Sequence, residues 1–245
     1  MREELVFGPI HSRTLGSSLG INLLPTKGKL CNFDCVYCEC GWNKDGRGDR
    51  KLPTAGELHE TLEAKLKECS GAGTPIDSIT FSGDGEPTLN PDFAEIIDIT
   101  IALRDKYFPQ AKVSVLSNAT RIFREDVFEA LRKVDNPIPT DELAGRINQP
   151  QGEYHVEDVV ADLMRFGGEF VLQTMFLRSP FFDSSSPEVL EGWMNIVRKL
   201  KPREVMVYTL DRETPAEGLE KFSADEMRGL VKPLIEEGYT IQIRG

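Results

Sequence analysis

Three cysteines lie close together near the start of the chain, in the stretch Cys31-Asn32-Phe33-Asp34-Cys35-Val36-Tyr37-Cys38. Such a short loop can wrap three thiolates around one small inorganic centre. Thiolates are soft ligands that suit both zinc and iron–sulfur clusters. A [4Fe–4S] cluster held by three cysteines keeps one iron without a protein ligand, and that iron can hold a substrate or cofactor. These residues therefore predict a metal centre at this loop.

A closed zinc site is the alternative interpretation of the same cysteines. Structural zinc is usually held by four ligands in two closely spaced pairs. Cys40 would supply a fourth thiol, but no second Cys/His pair follows, and His59 has no histidine partner at short spacing. The spacing therefore favours an iron–sulfur cluster over a non-catalytic zinc-binding module. Cys40 is interpreted as a spare thiol near the loop, and Cys69 as a helix residue with no role.

The composition fits a soluble globular protein in a reducing compartment. A chain of 245 residues can bury a large core, and α/β barrels of this size are common single domains. The sequence contains no apolar run near 18 residues and no signal-peptide-like start, so we expect no membrane span and a cytoplasmic location. Five cysteines, mostly in one loop, do not suggest disulfides, and an exposed cluster would need anaerobic conditions. The net charge of −11 weakens the case for unaided nucleic-acid binding.

Strand and helix patterns alternate along the chain, which predicts a parallel sheet with helical crossovers. We expect one domain over residues 1–245, an α/β fold in the form of a partial (β/α)6 TIM-like barrel. Asn90 and Pro91 are predicted to cap and begin the second helix. The predicted strands are 18–24, 78–81, 112–116, 169–176, 204–209 and 240–243, and the predicted helices are 54–68, 93–107, 125–134, 156–165, 188–200 and 224–237.

Several candidate site residues follow predicted strands, where (β/α) barrels place their chemistry. The glycines of the 83–87 turn would let backbone approach a ligand closely. Ser117 and Asn118 supply neutral donors and acceptors suited to a ribose hydroxyl or a carboxylate, although such residues also form ordinary turns. Gln173 alternates with apolar neighbours and either points into the barrel or is a core residue satisfied locally. Asp211–Arg212 would bind a substrate carboxylate or phosphate, or form ion pairs.

The cysteine spacing resembles the cluster motif of the radical S-adenosylmethionine (radical SAM) superfamily. That resemblance implies a [4Fe–4S] cluster on Cys31, Cys35 and Cys38, whose open iron chelates the amino and carboxylate groups of S-adenosylmethionine (SAM). One electron would then break a C–S bond of SAM and give a 5′-deoxyadenosyl radical. The resemblance also implies an external electron donor such as flavodoxin or ferredoxin, and an oxidoreductase or transferase activity.

The same resemblance assigns roles at the strand ends. Residues 83–86 are similar to the Gly-Gly-Glu element of the superfamily, with Asp84 inserted. Backbone carbonyls at Gly85 and Glu86 would bind the SAM ammonium. Ser117 and Asn118 look like further SAM contacts, and Gln173 would point toward SAM.

The segments 8–21, 81–89, 134–136 and 208–212 resemble a branch of stand-alone bacterial proteins similar to the tRNA wyosine synthases. Those synthases carry a second cluster on cysteines upstream of the SAM motif, and no cysteine precedes Cys31 here, so a second cluster is not expected. The class of the substrate is left open: it is a nucleoside or RNA base, another small molecule, or a partner protein that receives a radical. The connections at 136–141 and 178–182 are shorter than this branch implies, which leaves their completeness open.

Overall fold

A computed structural model describes residues 4–12, 15–46, 51–141 and 147–245 of the chain. These residues form two compact units. The first comprises Met1–Cys31, Asn43–Ser117 and Arg121–Pro137, and the second comprises Asn32–Trp42, Asn118–Thr120 and Ile138–Gly245. The expectation of a single domain over 1–245 stays a prediction. Among the described helices, none has both the length and the apolar character that crossing a membrane requires.

The first unit contains a four-stranded sheet in the order β1-β2-β3-β4. β1 runs antiparallel to β2, whereas β2, β3 and β4 are mutually parallel. Short 3-10 turns cover Asn43–Gly46 and Pro87–Leu89. The elements are β1 (Val6–Ser12), β2 (Gly16–Ile21), α1 (Ala55–Gly71), β3 (Ser78–Phe81), α2 (Phe93–Tyr107), β4 (Lys112–Ser117) and α3 (Glu125–Arg132).

The two faces of this sheet carry different side chains. One face is apolar, and its Phe81 packs edge-on against Phe93 of α2, with 6.4 Å between ring centroids. The opposite face is built from small residues that are all buried, and Gly20 lies directly beneath the ring of Phe7. On the apolar face, the register aligns Leu19 with Ile79 and Val113, and Ile21 with Phe81 and Val115. The opposite face carries Ser18, Gly20, Ser78, Thr80 and Ser114.

The predicted range of the second helix, 93–107, matches the structure, but the predicted N-cap, Asn90, is wrong by two residues. The helix begins at Phe93, and its N-cap is Asp92, whose side chain makes no capping hydrogen bond. The Oδ1 of Asn90 accepts from the Asp92 amide at 2.9 Å rather than from the first helical turn, and its Nδ2 donates to the carbonyl oxygens of Leu23, at 3.1 Å, and Pro53, at 2.8 Å. Asn90 therefore ends the preceding 3-10 turn and fastens it to two distant backbone segments.

The second unit contains parallel strands in the order β5-β6-β9-β11 and a small antiparallel sheet in the order β10-β7-β8. Only the first two residues of β5 belong to the first unit. The elements are β5 (Asn136–Asp141), α4 (Val156–Met164), β6 (Val171–Met175), β7 (Leu177–Ser179), β8 (Phe182–Asp183), α5 (Pro187–Leu200), β9 (Glu204–Tyr208), β10 (Glu220–Lys221), α6 (Ala224–Glu236) and β11 (Ile241–Arg244).

The α/β class and the parallel strands with helical crossovers are confirmed. The prediction missed β1, because Gly8 and Pro9 interrupt its alternation, and Pro9 follows a cis peptide bond. It also missed β5 and the short β7–β8 hairpin, which occupy the two connections whose completeness was in question. Residues 142–146, which follow β5, lie outside the described residues.

Candidate functional site

The turn after β3 holds the backbone of Leu30, the residue before Cys31. The Leu30 amide donates to the Asp84 carbonyl oxygen at 3.0 Å, and the Glu86 amide donates to the Leu30 carbonyl oxygen at 3.1 Å. Gly85 lies between these bonds with a φ of +140°, and a Cβ there would overlap the Leu30 carbonyl group. Only glycine allows the two backbone segments to approach this closely.

The carboxylate of Glu86 joins the ends of β3 and β4. It is 2% exposed, and its Oε1 accepts hydrogen bonds from Ser117 Oγ at 2.9 Å, from the Thr88 amide at 3.1 Å and from the Thr88 hydroxyl. Oε1 of Glu86 therefore fastens the turn after β3 to the end of β4. The structure thus brings together Glu86 and Ser117, two of the predicted site residues.

Asn118, the residue after β4, is hydrogen-bonded to the cysteine loop. Its Nδ2 donates to Asn32 Oδ1 at 2.7 Å, and its Oδ1 accepts from the Thr120 hydroxyl at 2.7 Å. Asn32 Nδ2 in turn donates to the Thr120 hydroxyl, which closes a ring of three polar side chains. Ala119 between them has a φ of +60°, a left-handed conformation that costs a residue with a Cβ about 1–2 kcal/mol.

The cysteine loop of the second unit, residues 32–36, is bound along its backbone by residues 147–151, named here the backing segment. Phe33 pairs with Pro150 as an isolated antiparallel bridge, and its buried ring packs edge-on against Tyr154. The loop is therefore fixed by main-chain bonds that need no metal. These bonds join the Asp34 amide to Asn148 O at 2.9 Å, the Val36 amide to Ile147 O at 2.8 Å and the Gln151 amide to Asn32 O at 2.9 Å.

The donor set at the loop fits an iron–sulfur cluster. Cys31, Cys35 and Cys38 are half-buried thiols outside any disulfide. The Asn43 side chain fixes Cys31, because its Oδ1 accepts from the Cys31 amide and its Nδ2 donates to the Cys31 carbonyl oxygen, both at 3.1 Å. Within the described ranges, no three His, Cys, Asp or Glu side chains are grouped as ligands of one metal ion. A cluster places each thiolate on a different iron, so its ligands need not converge on one point.

The remaining cysteine of the first unit has a different environment. Cys69 lies on the buried face of α1, and burial raises the pKa of its thiol. A protonated, buried thiol is a poor ligand and a poor nucleophile. This environment agrees with the interpretation of Cys69 as a structural residue.

Asp211 and Arg212 follow β9, and both are exposed. Arg212 Nη1 lies 2.8 Å from Glu39 Oε2, so its ion pair is with the residue after Cys38. An exposed ion pair of this kind contributes at most about 1 kcal/mol. The structure thus places Arg212 beside the cysteine loop, and its role as a substrate contact stays a prediction.

Sequence reasoning missed the asparagines that hold this region together. Asn22 Oδ1 accepts from the Asp84 amide at 3.1 Å, while Asn32 and Asn43 fix the loop as described. Asn148, in the backing segment, is 1% exposed, and its Oδ1 accepts no hydrogen bond within the described part of the chain. The sequence signals that these residues follow strands or motif cysteines, but it does not reveal which backbone group each amide meets.

Comparison with known proteins identifies the family. A model of the radical SAM superfamily matches residues 26–170, a range that contains the three motif cysteines and the strand-end turns of β3 and β4. The chain belongs to the radical SAM superfamily. Membership makes it an enzyme, and it implies SAM and an iron–sulfur cluster as cofactors.

Two curated relatives cover most of this radical SAM chain. The GTPase Obg of Brachyspira hyodysenteriae is 29% identical over 252 residues, which is 99% of this chain but 35% of that protein. A UPF0026 protein of Synechocystis sp. is 33% identical over 223 residues, covering 86% of this chain and 77% of that protein. The chain thus spans about a third of the first relative and about three quarters of the second.

Two solved structures share the fold. SuiB of Streptococcus suis bound to S-adenosylmethionine superposes with a TM-score of 0.65 at 15% identity, covering 89% of this chain and 49% of SuiB. TYW1 with a lysine-pyruvate adduct bound superposes with a TM-score of 0.62 at 15% identity, covering 91% of this chain and 74% of TYW1. These likenesses confirm the partial TIM-like α/β core of radical SAM enzymes.

Proposed function

We propose that the protein binds one [4Fe–4S] cluster through Cys31, Cys35 and Cys38 and uses it to cleave SAM reductively. The observation that carries this proposal is the set of three half-buried thiols in a loop whose backbone is already fixed. When bound, the cluster and SAM supply a 5′-deoxyadenosyl radical that removes a hydrogen atom from a substrate. The whole protein's substrate and partners belong to the proposal as well.

The chain's own residues have three tasks in this proposal. Asn43 and the backing segment hold the cysteine backbone in place. The Gly85–Glu86 turn, kept in shape by the Glu86 carboxylate, offers backbone carbonyls to the SAM ammonium. Ser117, Asn118 and Gln173 offer hydroxyl and amide groups to the rest of SAM.

The substrate of first choice is a nucleoside or RNA base, supported only by the resemblance to wyosine synthases and by a fold shared with TYW1. The net charge of −11 argues against tight unaided RNA binding. The alternative is an activating enzyme that forms a radical on a partner protein. RNA retention that weakens with salt would favour the first, and a stable complex with another polypeptide would favour the second.

An anaerobic assay tests the proposed chemistry. The chain is reconstituted with iron and sulfide, supplied with SAM and dithionite, and assayed for 5′-deoxyadenosine; flavodoxin or ferredoxin then replaces dithionite as the proposed donor. Cys35→Ala should abolish the product, whereas Cys40→Ala, a matched change in the same segment, should retain it. Bound zinc without deoxyadenosine would overturn the proposal in favour of a zinc-binding module.

A further inference from the structure

Three neighbouring parallel strands of the second unit carry long side chains on one side of the sheet, in two rows near their carboxyl ends. The register pairs Met175 of β6 with Tyr208 of β9, and Tyr208 with Arg244 of β11. One step back along the strands lie Gln173, Met206 and Gln242, paired in the same way. We name these six residues the Gln173 face.

The Gln173 face is the side of the sheet that the helices do not cover. Thr174, which points the other way, is 1% exposed, and its hydroxyl accepts a hydrogen bond from Trp193 Nε1 of α5 at 3.0 Å. Val205 and Val207 share that helix-covered side and are fully buried. In a (β/α) barrel the helices cover the outer side, so the Gln173 face is the inner side of these strands.

Arg244 gives this face an uncompensated positive charge. Its guanidinium donates to Gln242 Oε1 at 3.2 Å and forms no ion pair with any described residue. Other arginines in the described ranges pair with Asp or Glu, apart from Arg121. In a chain of net charge −11, acids are plentiful, so an arginine without one is available to an anion from solution.

The size of the face limits what can bind there. Two residues along a strand span roughly 7 Å, and three neighbouring strands span about 10 Å. Within β6, β9 and β11, the acid on the same side is Glu204, which begins β9 and lies four residues from Tyr208, roughly 13 Å away along the strand. The Arg244 end therefore suits a small anion with polar groups, which Gln242 and Tyr208 can bind.

We propose that the Gln173 face binds the carboxylate of a small organic substrate, with Arg244 as its charged anchor. Gln242, beside Arg244, supplies amide donors and acceptors, and the Tyr208 ring supplies an apolar wall with a polar tip, while Gln173 keeps its proposed role as a SAM contact. This proposal deepens the proposed function, on which it rests, by naming the substrate's chemical class. It places substrate recognition at the carboxyl ends of parallel strands, where α/β proteins bind ligands.

Methyl NMR tests the proposal without electron transfer. The 245-residue chain is labelled with ¹³C-methyl methionine, because Met175 and Met206 lie on the face, while the exposed Met164 at the end of α4 serves as an internal reference. Pyruvate, its neutral amide and inorganic phosphate are titrated separately. Pyruvate should shift the Met175 and Met206 signals, and the amide should not. Arg244→Gln should weaken pyruvate binding at least about tenfold, the loss typical of one charge-assisted hydrogen bond, whereas Arg228→Gln on α6 should not.

Three outcomes overturn this assignment. If neither face methionine responds to pyruvate, or if Arg244→Gln and Arg228→Gln titrate alike, the face does not bind carboxylates. If phosphate shifts the signals and pyruvate does not, the anion class is wrong. Failure of the deoxyadenosine assay is a separate result, because the titration detects binding whether or not SAM is cleaved.

Discussion

The sheets of the two units differ on the side that faces away from their helices. In the first unit this side carries short hydroxyl groups that bond to one another: Thr80 Oγ1 lies 2.8 Å from Ser18 Oγ and 3.0 Å from Ser78 Oγ. All three residues are buried. In the second unit the corresponding side carries Gln173, Tyr208 and Arg244, which are long and partly or fully exposed.

This difference assigns separate tasks to the two units. Hydroxyl groups that satisfy each other stabilise a sheet but offer little to a ligand, so in the proposed function the first unit contributes through the turn at Gly85 and through Ser117 instead. In the second unit, long side chains with amide, phenol and guanidinium groups line this side instead. We therefore expect changes on the first face to alter stability and changes on the second to alter binding.

The largest expected effect on stability belongs to Gly85 in the first unit. Gly85→Ala adds a Cβ that overlaps the Leu30 carbonyl group at a φ of +140°, which should destabilise the fold by about 2–3 kcal/mol. Gly56→Ala, at an open position on α1, should instead stabilise it by about 0.5–1 kcal/mol. Urea unfolding measures both, and equal effects would show that the turn is not held against Leu30.

The two faces can be compared directly through one substitution in each. Thr80→Val removes the hydroxyl that Ser18 and Ser78 share, leaving buried polar groups unpaired at a cost of about 1–3 kcal/mol. Gln173→Leu, on a partly exposed face, should change the unfolding free energy by less than about 0.5 kcal/mol. Urea unfolding measures the free energy of unfolding of both variants. A larger loss of stability for Gln173→Leu than for Thr80→Val would contradict the expected difference between the two faces.

A smaller effect concerns how each unit holds its part of the cysteine loop. Cys31, in the first unit, depends on one side chain, so Asn43→Ala should remove both of its hydrogen bonds and lower cluster affinity about tenfold. Iron content after reconstitution over a range of iron concentrations measures this. Asn195→Ala, an exposed change on α5, is the control. Unchanged iron content in Asn43→Ala would show that Cys31 needs no such support.

The smallest expected effect is the stability that one ionised carboxylate contributes in each unit, and it should be similar in both. The side chains of Lys106, Tyr107 and Lys67 lower the pKa of Glu63 to about 2, and bonds from Ser223 and then Arg178 lower the pKa of Glu226 to about 2. A carboxylate with a lowered folded-state pKa stabilises at neutral pH, and this contribution fades as pH falls from about 5 to about 2.

Melting temperatures measured between pH 7 and pH 2 test this expectation. Glu63→Gln and Glu226→Gln should each melt below the parent chain at pH 7, by similar amounts, and should approach it at the acid end. A gap that persists at pH 2 for either variant would assign its effect to packing rather than charge.

The sequence was sufficient for elements with strong local patterns. The residues of β3 and α2 were predicted at their observed bounds, because a continuous apolar strand and a long helical period need no tertiary information. Asn90 shows the limit, since the local pattern indicates a helix cap, whereas the carbonyl partners of its side-chain Nδ2, Leu23 and Pro53, are distant in sequence. The cysteines were identifiable from spacing, whereas the Glu86–Ser117 bond joins residues 31 positions apart that no local pattern connects.

The backing segment has a consequence for the order of events during synthesis. Residues 32–36 leave the ribosome long before residues 147–151, which provide their main-chain partners. Until those later residues emerge, the cysteines belong to an unsupported nascent loop that must lose backbone entropy to receive iron and sulfide. Cluster delivery should therefore be favoured after the second unit has been translated.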